Sequence, residues 1–166
     1  MQSRTSFSSK QVATAALLAA LALIFGYIEF LVPISLAAPG IKLGIANIVI
    51  VIALYKLGWR WALPINVVRV LLSALLFGSL FSALYSLAGA VLSFVVMALL
   101  KACGKFSIVG VSMAGGVAHN VGQLLVACFA MQTFNVLYYY PMLLVSGLAT
   151  GIGIGVLATL IVRKLR

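Results

Sequence analysis

The chain has 166 residues, is 65% hydrophobic, and sets eleven Lys and Arg against one acidic residue, for a net charge of +10. A mean hydropathy of +1.28 excludes a water-soluble domain of this length and identifies an integral membrane protein. With no Asp and only Glu29, the chain cannot build an aspartate-rich Mg²⁺ site, a Ser-His-Asp triad or a glycosidase pair of carboxylates.

Six apolar spans are predicted, at about 11–32, 44–57, 60–77, 80–100, 107–131 and 138–162. They form one all-α transmembrane domain over residues 1–166. The first span is too long for a cleavable signal peptide and lacks a small-residue cleavage site. Along it Ala15, Ala19, Ala22, Gly26 and Glu29 recur at spacings of three and four, one small-residue stripe that ends in the acid. Glu29 lies in an apolar run, where a carboxylate must face protein, a cation or water.

The second span is short, after the Pro39-Gly40 breaker, and reads as a tilted or partial helix. On the third, Asn66, Arg69 and Ser73 share a face. Arg69 lies nine residues beyond Arg60, about 13 Å into the helix and close to the bilayer midplane. Phe77-Gly78-Ser79 separates the third span from the fourth, whose Ser82, Ser86, Gly89 and Ser93 share a face. On the fifth, Ser112, Gly116, His119 and Gln123 do so, with Asn120 beside them. The sixth carries a repeated GxxxG at Gly147, Gly151 and Gly155. Small-residue stripes of this kind serve helix packing, because small residues let backbones approach in lipid.

Nine of the eleven cations follow from topology. Arg4 and Lys10, Lys56 and Arg60, Lys101 and Lys105, and Arg163, Lys164 and Arg166 fall on alternate connections and at the two ends. That is the positive-inside pattern for six spans with both termini cytoplasmic, and it removes the nucleic-acid reading of the net charge. Lys42 and Arg69 are left over. Glu29 pairs either with Lys42, closing the outer loop as a gate or anchor, or with Arg69. Depth argues against the second, since Glu29 stands about 27 Å from the start of its helix. Trp59 and Trp61 read as interfacial anchors on one side, and Tyr138, Tyr139 and Tyr140 on the other. Cys103 and Cys128 form no disulfide framework and no metal signature.

The segment Pro39-Gly40-Ile41-Lys42-Leu43-Gly44-Ile45-Ala46-Asn47-Ile48-Val49 resembles a known family, as do Arg69-Val70-Leu71-Leu72, Leu84-Tyr85-Ser86-Leu87-Ala88-Gly89-Ala90 and Gly115-Gly116-Val117-Ala118-His119-Asn120-Val121-Gly122-Gln123. Together, over about residues 10–160, they look like the Gx transporter family, also labelled heptaprenyl diphosphate synthase component I. That family is similar in size and helix plan to the substrate-binding S components of energy-coupling factor (ECF) transporters. The resemblance implies Lys42, Asn47, Arg69, His119, Asn120 and Gln123 as substrate-binding positions, and Ala15 to Ala19 and Ala16 to Ala20 as small-residue packing against a coupling subunit. It implies a plasma-membrane protein that works with a coupling subunit and ATPases in trans, because the chain has no phosphate-binding G-x-x-x-x-G-K-[ST] loop of its own.

Two ligand-binding functions compete, beside a third reading as a structural membrane scaffold without a ligand. The first is a substrate-binding subunit for uptake of a small anionic or zwitterionic solute, in which Lys42 and Arg69 attract the acid group. The second is a non-catalytic membrane accessory of polyprenyl diphosphate or quinone metabolism, holding a lipid-like anionic ligand. In neither is the chain an enzyme: prenyl elongation holds its diphosphates through Mg²⁺ on clustered aspartates, which are absent here. No metal or cofactor is expected.

Overall fold

The computed structural model describes residues 8–31 and 44–165. These form six helices: α1 (Ser9–Leu31), α2 (Ile45–Lys56), α3 (Trp59–Phe77), α4 (Leu80–Cys103), α5 (Ile108–Met131) and α6 (Tyr140–Lys164). A 3-10 turn, Phe134–Tyr139, leads into α6, and no strand occurs among the described residues. The six predicted spans correspond one to one with these helices.

Local chemistry sets the boundaries. Ser79 ends the Phe77–Ser79 break by accepting the Ser82 N–H, and Ser107 caps α5 by accepting the Gly110 N–H. Gly104 closes α4 with φ of +69°, the left-handed conformation that glycine adopts at helix ends.

Five helices are long and apolar enough to cross a membrane. The exception is α2, whose 12 residues rise about 18 Å against a hydrocarbon thickness of about 30 Å. Its burial explains how so short a helix persists. Ala46 and every residue from Val49 to Leu54 are buried, so α2 is enclosed nearly all round. It packs against α1, α3 and α6, while the remaining neighbours run α1–α3–α4–α5–α6 around it. Many large apolar residues are exposed, among them Leu75 and Leu80 at 82% each, as a lipid-facing surface requires.

Inside lipid no hydrophobic force drives helix against helix, so close packing and polar contacts hold the bundle. The GxxxG stripe of α6 faces α5. A Cβ on Gly151 would stand 2.6 Å from Met113 Cα, and one on Gly155 2.6 Å from Val109 Cα. Gly147 meets Gly116 so closely that a side chain on either would strike the other's carbonyl. On α1, Ala15 and Ala22 are buried and Ala19 packs against the same core, whereas Ala16 and Ala20 are exposed.

At the opposite end from Glu29, lysines tie helix ends together. Lys101 Nζ donates to Leu54 O at 2.5 Å and lies 4.9 Å above the Tyr55 ring. Lys56 Nζ donates to Leu165 O at 2.7 Å. Cations on these terminal carbonyls complement the negative ends of α2 and α6.

Candidate functional site

The second half of α1, the second half of α3 and the start of α4 surround a cavity of about 370 Å³. That is within the range of small-molecule sites, about 300–1,000 Å³. Glu29 lines it from α1, Arg69 and Ser73 from α3, and Ser79, Ser82 and Ser86 from the α3–α4 connection and α4. Phe30 and Phe77 form an apolar edge. Their rings stand 5.3 Å apart, and Tyr27 packs on Phe77 at 5.4 Å.

Arg69 is positioned by Asn66, one turn before it. Asn66 is 3% exposed; its Nδ2 donates to Ala90 O of α4 at 3.2 Å and its Oδ1 accepts from Arg69 Nη2 at 3.1 Å. The guanidinium is thereby fixed to the α3–α4 contact, which lowers the entropy lost when it binds a further group. Arg69 Nε and Ser73 Oγ are both buried and have no hydrogen-bond partner among the described residues. A buried donor without an acceptor costs about 1–3 kcal/mol.

Glu29 holds the start of α2. Its Oε1 accepts the Gly44 N–H at 2.5 Å. Gly44 precedes α2 in the left-handed region, φ +71°, where a Cβ would also stand 3.1 Å from Asn47 Nδ2 and 3.2 Å from Ile154 Cδ1. The left-handed backbone favours glycine there, and a methyl would make the Asn47 and Ile154 side chains give by a few tenths of an ångström. Asn47 therefore lies beside the residue that Glu29 binds. The opposite charges of Glu29 and Arg69 attract across the cavity they share.

The sequence-derived candidates divide accordingly. Arg69 and Glu29 are in the cavity, and Asn47 adjoins Glu29's partner. Lys42 lies outside the described residues. His119, Asn120 and Gln123 do not line the cavity. Asn120 Nδ2 donates to Leu143 O at 2.6 Å and Ser146 Oγ at 3.2 Å, tying α5 to α6. Gln123, 2% exposed, and His119 press on Gly89 of α4, where a Cβ would stand 2.9 Å from Gln123 Cγ and 3.0 Å from His119 Cε1. Tyr138, Tyr139 and Tyr140 are exposed and away from the cavity.

Four serines belong to the cavity that sequence reasoning did not assign to a site. The shared faces of Ser73 with Arg69 and of Ser82 with Ser86 are visible in the sequence. That those faces converge with the Gly26–Glu29 end of α1 is a tertiary fact.

Comparison with curated proteins and with solved structures gives no match. One family model covers residues 18–161, and on that match the chain belongs to the heptaprenyl diphosphate synthase component I family.

Proposed function

We propose that the protein is the substrate-binding membrane subunit of an ECF-type uptake system, and that it takes a small anionic or zwitterionic solute into the cavity of Arg69 and Glu29. The single observation that carries this reading is a preorganised arginine with an unused buried donor in a cavity of small-molecule size. A charge-assisted bond to such a guanidinium is strong in a low-dielectric surround. The reading puts the protein in the plasma membrane, and the positive-inside pattern supports cytoplasmic termini and an outward-facing cavity. The subunit binds and does not catalyse, and a coupling subunit with ATPases supplies the energy.

The family's description favours a second reading, an accessory that holds a prenyl diphosphate. Charge argues for the first. A diphosphate brings several negative charges, and the cavity's Arg69 is already opposed by Glu29.

The two readings separate on what the protein holds. Mass spectrometry of the purified chain is expected to find a water-soluble acid or zwitterion, absent from a folded Arg69→Ala variant. A prenyl diphosphate or quinone in its place would select the accessory role.

A further inference from the structure

We infer that the cavity is a two-point receptor for a small zwitterion, with an oxyanion subsite at Arg69 Nε and Ser73 Oγ and an ammonium subsite at Glu29. This deepens the solute-binding reading and rests on it. The oxyanion subsite follows from two donors one turn apart on α3, both buried and both without an acceptor among the described residues. A carboxylate that accepts from both satisfies two otherwise costly groups at once.

The ammonium subsite follows from the lone-pair capacity of Glu29. A carboxylate offers about four acceptor positions on two oxygens, and among the described residues the Gly44 N–H uses one. In a cavity of low dielectric the remaining capacity favours a cationic donor, and a second anion there is repelled.

The spacing of the subsites sets the size of the ligand. A Cβ on Gly26 would stand 3.5 Å from Ser73 Oγ, so α1 meets the oxyanion subsite at Gly26. Glu29 is three residues further on the same face, about 5 Å along. The carboxylate and ammonium of the ligand are therefore a few bonds apart, as in an α-amino acid or a short ω-amino acid. The hydroxyls of Ser82 and Ser86 line the same cavity and suit polar substituents.

The test is the thermal stability of the purified full chain against a panel of glycine, larger α-amino acids and short ω-amino acids, each beside its deaminated acid and decarboxylated amine. At least one zwitterion is expected to bind about tenfold or more tightly than both of its truncated counterparts. Ser73→Ala weakens it by a similar factor. Glu29→Gln keeps an acceptor for Gly44 and removes the preference for the zwitterion over the acid. An acid that binds wild type as well as its zwitterion and requires Arg69 overturns the two-point receptor while leaving solute binding intact. A panel without any binder that requires Arg69 overturns both.

Discussion

Arg69 of α3 and Glu29 of α1 line one cavity, although helix rise alone sets them far apart along the membrane normal. Counted from the other end, Arg69 is only eight residues before Phe77, about 12 Å from the end of α3. The long arginine side chain covers part of that distance. Each charge also has a fixed protein partner, Asn66 Oδ1 for Arg69 and the Gly44 N–H for Glu29. The two are thus held in place independently of a ligand.

Arg69→Ala is expected to lower affinity for the bound solute by about 10- to 100-fold, the range of a lost charge-assisted hydrogen bond. Arg69→Lys keeps the charge and loses the fork geometry that Asn66 orients, so it recovers only part of the affinity. Binding measured on variants that elute as folded protein in size-exclusion chromatography checks both.

Asn66 and Asn120 both bridge helices, yet only Asn66 touches Arg69. Either asparagine to alanine removes an interhelical bond worth about 0.6–1.7 kcal/mol in a membrane. Asn66→Ala is expected to lower both melting temperature and solute affinity. Asn120→Ala lowers the melting temperature and leaves affinity unchanged. Parallel thermal unfolding and binding curves separate the two.

Most of the fold was legible in the sequence. The Phe77–Ser79 break, the short second span and the glycine seam of α6 all appear where pattern and composition put them. The enclosure of α2 was not legible, because an apolar run reads alike whether it faces lipid or protein; its 12-residue length was the available clue. The site was half legible. Arg69 and Glu29 stand out as charges in apolar surroundings. His119, Asn120 and Gln123 stand out as uncharged polar side chains in the same surroundings, but they face the α4–α5 and α5–α6 contacts. A polar residue within a helix bundle signals a buried partner, and that partner is as readily a neighbouring helix as a ligand.

The α5–α6 seam offers a paired test of packing. Gly151→Ala places a methyl 2.6 Å from Met113 Cα, and overpacking of this kind costs about 1–3 kcal/mol. Gly153, two residues away, has open space around its Cβ position. Gly153→Ala is expected to leave the melting temperature unchanged or raise it slightly, while Gly151→Ala lowers it by several degrees.

Gly44→Ala probes the link from Glu29 to α2. The left-handed backbone costs about 1–2 kcal/mol for an L side chain, and the methyl crowds Asn47 and Ile154. Reduced thermal stability together with weaker solute binding is expected, since the same residue anchors the carboxylate of the cavity.

The most direct measurement is the identity of the small molecule that copurifies with the wild-type chain and with Arg69→Ala, read by mass spectrometry. A water-soluble zwitterion or anion on the wild type, lost from the folded variant, is the predicted result. A prenyl-chain lipid retained equally by both proteins would contradict solute binding at Arg69.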